Sequence, residues 1–390
     1  MRLIPDMLID AYKMGYSKED LKECVVKILS PYFVNKNALY KYWCEAKLLS
    51  VFEFTVRYHY DESFPAEMEW VLKIYREAFA RNARITAEVV SNDVDSFTQK
   101  ENIMWSINKQ KLSDDKDPEE TAIYLLRHIG DVLEIATKHL TVELWSLIQI
   151  IENNKTDCDL TRKLDFGVVV NNIISKGYLS DMLLIGPNSL KISDWRNVAY
   201  HHTYRFINQN KIICTYGKKQ NIIEITLEEL NKYAHKIIRM ANVMSMARSC
   251  FLYDYSEQLS VAADEEIVEE GVLSLRTPMV IEGVRISLLS QGFYLESVDE
   301  KESEVIGRIT DIGIGDTTSV EKKRSRWIHA SQFLVYIWSI APREKVIIEY
   351  YTQDKNLEFI CSVNGEMCDQ VYNQKVPLKT MAAYVDMQVV

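Results

Sequence analysis

The chain has 390 residues, a length that predicts two or three domains rather than a single core. Its hydrophobic content of 47% with 26% charged residues is typical of a folded globular protein and excludes a largely disordered chain. The formal net charge of −10 argues against a broadly basic protein that binds nucleic acid without specificity, although a local basic patch remains compatible with it.

The cysteines and the start of the chain bear on its compartment. Seven cysteines are an odd number and form no Cys-x-x-Cys pair, which indicates reduced thiols and argues against a zinc ribbon. The sequence has no apolar run long enough to span a bilayer, and its start lacks the features of a signal peptide. We therefore expect a cytoplasmic protein that does not associate with a membrane.

Residues 1–108 are predicted to form a helical N-terminal domain. Apolar residues recur at helical spacing in three stretches, and Ser17 with Asp20 forms a capping box at the start of the first. These stretches are Ser17–Leu29, Lys36–Arg57 and Ala66–Ala80. Residues 109–120 are polar, contain a proline and lack an apolar period, so they are predicted to be a linker.

Residues 121–258 are predicted to form a second, largely helical domain. Apolar stripes predict two helices, and two alternating segments around Gly-Lys-Lys-Gln predict a β-hairpin. Thr226 and Glu229 form a capping box for a last helix that runs to about Tyr253. The first two helices and the two hairpin strands are expected, in this order, at about Glu119–Glu152, Leu160–Lys176, Lys211–Tyr216 and Asn221–Ile225.

Residues 265–390 are predicted to form an α+β domain. β-Branched residues and turn residues predict several strands, and one helix is expected at Ile328–Trp338. The predicted strands are Gly271–Arg276, Met279–Leu289, Gly292–Ser297, Val305–Ile314, Lys345–Tyr351 and Leu357–Val363. The whole chain is therefore predicted to be an α+β multidomain protein with a helical central domain.

The stretch Ser193–Phe206 holds the residues with the clearest chemistry. Ser193 and Asp194 are both good N-caps, because a short oxygen side chain can accept a backbone N–H of the first helical turn. A helix that starts there puts Arg196 and Asn197 in its first turn, where backbone N–H groups favour an anion such as phosphate. The start of this helix is thus a candidate phosphate site.

Helical spacing sorts the residues of this stretch onto two faces. One face is polar and ionisable, and it consists of Arg196, Asn197, Tyr200, His201 and Tyr204. The other face is suited to packing, and it consists of Trp195, Val198 and His202. The periodicity therefore favours His201 over His202 as a reactive group.

The polar face suits cleavage of a phosphodiester without a metal or a cofactor. A histidine titrates near neutrality and can move a proton. An arginine can hold a phosphate by two hydrogen bonds and stabilise its growing charge, and an Asn amide can orient either group. An Arg–His spacing alone has a second interpretation, in which Arg196 is solvated and the histidine is a satisfied structural residue.

These residues together resemble the ribonuclease signature of the HEPN superfamily (higher eukaryotes and prokaryotes nucleotide-binding). That signature is Arg, four to six residues, then His, often with Asn directly after the Arg. Arg196-Asn197 followed by His201 fits it with four intervening residues, and His202 fits it with five. His202-Thr203-Tyr204 also resembles the His-x-Tyr ending of HEPN toxins that are paired with nucleotidyltransferase antitoxins. The resemblance covers about residues 119–255.

The resemblance implies a metal-independent endoribonuclease. His201 would take the proton of a ribose 2′-OH, which attacks the adjacent phosphate and leaves a 2′,3′-cyclic phosphate and a 5′-OH. Arg196 would stabilise the phosphorane and Asn197 would orient it. His202 is the alternative catalytic histidine, because the His-x-Tyr match points to it. The leaving-group proton would come from a second His, which HEPN domains supply by facing two such helices in a homodimer.

The resemblance also implies a biology and a means of restraint. HEPN ribonucleases are commonly toxins in anti-phage or toxin–antitoxin systems. The expected partners are therefore an RNA substrate, with tRNA as a candidate, and an antitoxin or a phage-derived trigger. Binding of DNA is not expected. Tyr204 is a candidate for addition of a nucleotide, and its alternative role is to pack or hydrogen-bond at the helix end. HEPN domains often place an acidic residue of the first helix at the active centre, and Asp131 or Glu134 is a candidate for this role. The alternative is that both are solvated charges on the helix surface.

Basic side chains near this stretch are candidates for contacts with RNA. They are Arg205, Lys211, Lys218 and Lys219, and a second basic group lies at Lys322, Lys323, Arg324 and Arg326. An ordinary solvent-exposed hairpin and a solvated loop explain the same charges. A second function is also compatible with the sequence: a non-catalytic HEPN-like domain that dimerises or binds a nucleotide in a sensing protein.

Overall fold

The computed structural model describes residues 4–91, 94–108, 117–208, 210–262, 275–313 and 319–390. Within them the chain has an α+β fold, as predicted, with many helices and two small sheets. In the part of the chain that the structure describes, no helix is both long and apolar enough to cross a membrane.

The helices are α1 (Ile4–Lys13), α2 (Lys18–Leu29), α3 (Lys36–Tyr42), α4 (Ala46–Arg57), α5 (Ser63–Arg81), α6 (Ala83–Ser91), α7 (Val94–Asn108), α8 (Pro118–Asp131), α9 (Lys138–Asn153), α10 (Cys158–Arg162), α11 (Phe166–Ser175), α12 (Ser180–Leu183), α13 (Ile192–Tyr200), α14 (Leu227–Asp254), α15 (Ser256–Ala262), α16 (Thr277–Leu289), α17 (Val320–Ser331), α18 (Leu334–Ile340), α19 (Gly365–Tyr372) and α20 (Leu378–Met381). A π-helical turn, Val132–Thr137, joins α8 to α9. The strands are β1 (Tyr204–Asn208), β2 (Lys211–Tyr216), β3 (Asn221–Thr226), β4 (Phe293–Glu300), β5 (Glu304–Asp311), β6 (Lys345–Tyr351), β7 (Leu357–Asn364) and β8 (Asp386–Val389).

These elements fall into two compact units, and each unit combines separate parts of the chain. Unit 1 consists of Met1–Ser30, Tyr40–Val56 and Arg276–Val390; unit 2 consists of Pro31–Leu39 and Arg57–Leu275. The residues predicted as one domain, 1–108, are thus divided between the units, because α1 packs against α16 of the C-terminal segment. The predicted linker 109–120 and the predicted strand Gly271–Arg276 lie mostly outside the described residues.

Unit 1 is built on a five-stranded sheet with the order β4-β5-β6-β7-β8. β5 and β6 are parallel and the other neighbours are antiparallel, so α17 and α18 form the crossover that a parallel pair requires. Residues from the sheet and from α16 to α19 share one hydrophobic core, which includes Phe293, Leu334, Ile348 and Phe359. Four predicted strands of this region correspond to β4, β5, β6 and β7.

Unit 2 is a helical assembly in which α5 and α8 pack against the long helix α14, and α9 packs against α5. The ring of Tyr75 stacks on Phe251 with a centroid separation of 5.1 Å. Beside them the buried Arg248 donates from Nε to both carboxylate oxygens of Glu143, at 2.9 and 3.1 Å, and the Tyr75 hydroxyl donates to the same carboxylate. The buried charges of Arg248 and Glu143 therefore pair with each other, as burial of charge requires.

A three-stranded antiparallel sheet, β1-β2-β3, completes unit 2. The predicted hairpin is confirmed, with Lys211 opposite Thr226 and Tyr216 opposite Asn221 across the turn. β1 was not expected from the sequence; it pairs with β2 and forms an edge of the sheet.

Local capping signals locate two helices correctly. Ser17 and Asp20 form a reciprocal capping box at α2, and Thr226 and Glu229 form one at α14. The prediction of a strand at Met279–Leu289 is wrong, since this segment is α16. Its β-branched residues suggested a strand, but proline in its first turn favours a helix, and residues such as Val284 and Leu288 are buried in the core of unit 1.

Several segments predicted as single helices are divided. Lys36–Arg57 contains α3 and α4, Leu160–Lys176 contains α10 and α11, and Ile328–Trp338 spans the break between α17 and α18. Glu119–Glu152 is interrupted by the π-helical turn. The helices on both sides of such a break bury apolar residues, as Leu39 of α3 and Leu48 of α4 show, so the apolar pattern alone does not mark the break.

Candidate active site

The helix that carries the candidate site, α13, begins at Ile192 after an extended Lys191. The prediction that Ser193 or Asp194 caps it is therefore wrong: both lie inside the helix, and Arg196 lies beyond the first turn. Lys191 pairs with Leu184 in a β-bridge, and Ile192 and Ser193 are buried. Tertiary burial at the start of the helix thus outweighs the capping preference of the two short polar residues.

One face of α13 is buried as predicted. Trp195 and Val198 are fully inaccessible, and the Trp195 indole Nε1 donates to the Ile185 carbonyl at 2.7 Å. On the side towards α8, a Cβ added at Gly130 would lie 3.1 Å from the Cβ of Ala199. Glycine at this position therefore permits the close approach of α8 and α13.

The Arg196 guanidinium projects from the opposite face and is held at several points. Its Nε and Nη2 each lie 2.9 Å from the same oxygen of Glu134, and its Nη1 donates to the Asn197 Oδ1 at 3.2 Å. It also lies 5.4 Å from the ring centroid of Tyr200. Arg196, Asn197 and Tyr200 therefore share a side of the helix, as the helical spacing predicts.

The π-helical turn supplies the acidic partner. Lys138 N–H bonds to the Leu133 carbonyl five residues earlier, and the Thr137 hydroxyl donates to the Val132 carbonyl at 3.0 Å. This turn carries Glu134, whose second oxygen accepts from the Lys138 Nζ at 2.7 Å. π-Helical turns often occur at functional sites, because the additional residue changes the direction of a side chain.

The electrostatics of Glu134 and Asp131 differ. Burial alone would raise the pKa of Glu134, but the hydrogen bonds and charges of Lys138 and Arg196 outweigh it, so its pKa lies below the ordinary value. Burial raises the pKa of Asp131, although a hydrogen bond from the Tyr200 hydroxyl opposes the shift. Of the two acidic residues suggested by the sequence, Glu134 contacts Arg196, and Asp131 contacts Tyr200.

The two histidines lie beyond the end of α13. The helix ends at Tyr200; His201 is its C-cap, and the N–H of His201 still bonds to the Asn197 carbonyl at 3.0 Å. His202 has a left-handed backbone with φ of 51°, and both side chains are exposed. The prediction that His202 packs with Trp195 is therefore wrong, because the left-handed residue turns the chain away from the helix.

Tyr204 lies on a strand rather than on the helix. It is the first residue of β1, its ring is half-buried, and its centroid is 6.0 Å from that of His202. The predicted position of Tyr204 one helical turn after His201 is therefore wrong. Burial raises the pKa of its hydroxyl.

The predicted RNA-contacting residues are exposed on the small sheet. Arg205 lies on β1, and Lys218 and Lys219 lie in the turn between β2 and β3. Lys211 forms an ion pair with Glu224 across β2 and β3, so part of the expected positive charge is neutralised.

The second basic group lies in unit 1, and two of its four residues are engaged within that unit. Arg326 binds the Asp311 carboxylate by two hydrogen bonds of 2.6 and 2.7 Å, and Lys323 donates to Glu358 at 2.8 Å. Among the described residues, no group of three or more His, Cys, Asp or Glu side chains is arranged to hold a metal ion.

The site contains contacts that the sequence analysis did not predict. The Lys138 bond to Glu134 had a local signal, because the residues are four apart on a helical segment. No local signal in the sequence predicted the Asp131–Tyr200 bond or the close approach of Gly130 to Ala199, since each joins residues about seventy positions apart. No family model, no curated protein and no solved structure matches this chain.

Proposed function

We propose that the protein is a metal-independent endoribonuclease of the HEPN type that cleaves RNA through attack of a ribose 2′-OH. The observation that carries the proposal is the Arg196 guanidinium, which Glu134 and Asn197 hold in one orientation. Two exposed histidines follow at the end of the same helix. Cleavage of a phosphodiester needs both a fixed cation and groups that transfer protons, and this helix and the turn after it carry both residue types.

In the proposed reaction, His201 or His202 takes the proton of the 2′-OH, and the 2′ oxygen attacks the adjacent phosphorus. The P–O5′ bond breaks, a second histidine protonates the leaving 5′ oxygen, and a 2′,3′-cyclic phosphate and a 5′-OH result. Arg196 stabilises the negative charge of the phosphorane, and Glu134 and Asn197 keep its guanidinium in place. The second histidine comes from a second copy of the chain, so the proposed active form is a homodimer.

The direct test is incubation of the purified protein with total RNA in the presence of EDTA, followed by mapping of the cut ends. We expect discrete fragments with 2′,3′-cyclic phosphate and 5′-OH ends, and light scattering should show a dimer. His201→Ala and His202→Ala identify the catalytic base, because both side chains are exposed and neither substitution should unfold the protein. Intact RNA after incubation with a folded dimer would refute the proposal.

The proposed biological role is that of a toxin in anti-phage defence or in a toxin–antitoxin system, with nucleotide addition at Tyr204 as its restraint. A phosphate group on the Tyr204 hydroxyl would place negative charge and volume beside His202. Expression together with genomic neighbours tests this by intact mass. A mass gain that Tyr204→Phe abolishes, with cleavage restored, is the expected result; an unmodified but silent protein contradicts it.

A second candidate function is favoured by the ion pair itself. All three guanidinium nitrogens of Arg196 already contact Glu134 or Asn197. A purely structural arginine would make the same contacts. In that case the domain dimerises or binds a nucleotide without cleaving RNA. Intact RNA in the assay above, together with saturable binding of a nucleotide, would support this function.

A further inference from the structure

Three aromatic rings form a row along the edge of the small sheet. His202, Tyr204 and Phe206 alternate along the chain; the centroids of His202 and Tyr204 are 6.0 Å apart, as are those of Tyr204 and Phe206. The interplanar angles are 63° and 81°, so neighbouring rings meet edge to face. In each pair the edge of one ring therefore lies against one face of its neighbour, which leaves the opposite face of that neighbour for a further contact.

The position of β1 leaves this row partly accessible. Across the ladder, Tyr204 lies opposite Cys214 and Phe206 lies opposite Ile212. Both β2 residues are buried, whereas His202 is exposed and the rings of Tyr204 and Phe206 are only half-buried. Tyr204 and Phe206 lie on the same face of the sheet as these buried residues but at its edge, so their rings are partly covered and partly accessible.

The row begins at the candidate catalytic residues and has a cation beside it. His202 is both its first ring and one of the two histidines at the end of α13. Arg205 lies between Tyr204 and Phe206 on the same strand, and its side chain is exposed on the other face of the sheet. An extended chain that follows β1 would thus meet the rings on one face of the sheet, while Arg205 lies on the opposite face.

We propose that this row, His202–Tyr204–Phe206, is a binding site for unpaired bases, and that the substrate of the protein is single-stranded RNA. Aromatic side chains two residues apart on a strand, as Tyr204 and Phe206 are on β1, stack successive bases of a single strand. A duplex cannot use the row, because its base faces are covered by stacking within the helix. The inference rests on the proposed ribonuclease function, which it extends to the form of the RNA.

The test measures binding separately from cleavage. Fluorescence anisotropy is recorded with a short labelled RNA that is 2′-O-methylated throughout, and therefore cannot be cleaved by 2′-OH attack, as a single strand and as a duplex. We expect the single strand to bind more tightly than the duplex. Phe206→Leu and Tyr204→Leu should each weaken binding of the single strand by about 5- to 150-fold, which is the usual contribution of one stacked base.

Two control variants separate stacking from other effects. Tyr204→Phe keeps the ring and should bind like the wild type. Ile207→Ala removes an apolar side chain that is 51% exposed on the same strand but outside the row, and it should also bind like the wild type. Thermal unfolding of each leucine variant, measured alongside, should match that of the wild type, because leucine keeps the apolar contacts on the half-buried side.

Each outcome bears on one claim. Equal affinity for single strand and duplex, unchanged binding by both leucine variants, or an equal loss in Ile207→Ala would overturn the inference. A loss of dimer in Phe206→Leu with unchanged RNA affinity would also overturn it, since the row would then contact a second copy of the chain. Binding that depends on the row without any cleavage of unmodified RNA would support the inference and contradict the proposed catalysis.

Discussion

Replacement of Arg196 by alanine tests whether this residue has a catalytic or a structural role. Arg196 and Glu134 are each 27% exposed, and their contact is therefore a partly solvated ion pair. Such pairs contribute about 0.2–1 kcal/mol to stability. Glu134 would still keep its bond from Lys138, so Arg196→Ala leaves no carboxylate without a partner. We expect the free energy of unfolding to fall by less than about 1 kcal/mol.

The expected effect on RNA cleavage is much larger. Removal of one group that stabilises charge in the transition state typically lowers kcat by about 100- to 1000-fold. Cleavage is measured with a fluorogenic RNA oligonucleotide under single-turnover conditions, and stability is measured by chemical denaturation of the same preparation. The informative quantity is the difference between the two effects, because a structural arginine would change stability and activity in parallel.

Arg84→Ala is the matched control. Arg84 lies in the same unit and is paired with Glu88 at 3.1 Å, so the variant removes the same charge and a similar Arg–Glu contact outside the site. It should retain wild-type cleavage. Cleavage by Arg196→Ala at the wild-type rate would refute the assignment of Arg196, as would a loss of several kcal/mol in stability, since the activity could then be lost through unfolding.

Three further predictions concern the packing and the buried charges. Gly307→Ala should destabilise the protein by about 1–3 kcal/mol, because its Cβ would lie 2.6 Å from the Cδ1 of Ile337; an unchanged denaturation midpoint would show that β5 can shift. Arg248→Met should lower the free energy of unfolding by about 3–5 kcal/mol, since it leaves Glu143 buried without its cation. The additional substitution Glu143→Leu should restore much of this stability. Equal stability of the single and double variants would contradict the prediction. Burial lowers the pKa of His139 to about 3, so the unfolded chain binds a proton below about pH 6.5 that the folded protein excludes. Stability should therefore fall by up to about 1.4 kcal/mol per pH unit from pH 6.5 towards pH 4, and denaturation of His139→Gln should show a smaller slope.

The sequence predicted those parts of the fold that depend on neighbouring residues. The capping boxes at Ser17 and Thr226 and the hairpin of β2 and β3 each form within a few residues, so their patterns carry the necessary information. The strand predicted at Met279–Leu289 failed because the helix there depends on burial against a sheet that is formed by later residues. The division of residues 1–108 between two units depends on long-range packing in the same way.

The candidate site shows the same limit. The adjacency of Arg196 and Asn197 is local, and their shared side of α13 follows from helical spacing. The sequence did not predict that Glu134 rather than Asp131 is the partner of Arg196. This contact depends on a π-helical turn and on packing between residues 62 positions apart. The end of α13 at Tyr200 was also not predicted, since polar spacing continues through His201 to Tyr204 although the helix does not.

The early end of α13 changes what the proposed chemistry requires. Arg196 lies on a helix and is held by a second helical segment, so the orientation of its guanidinium is fixed before substrate binds. His201 and His202 instead lie in an exposed turn beyond the end of the helix, where the His202 ring meets the half-buried ring of Tyr204. A proton transfer needs that ring within hydrogen-bond distance of the 2′-OH. Under the proposed mechanism, this order must come from the RNA or from a second copy of the chain, and the base-stacking row that starts at His202 would supply it from the RNA side.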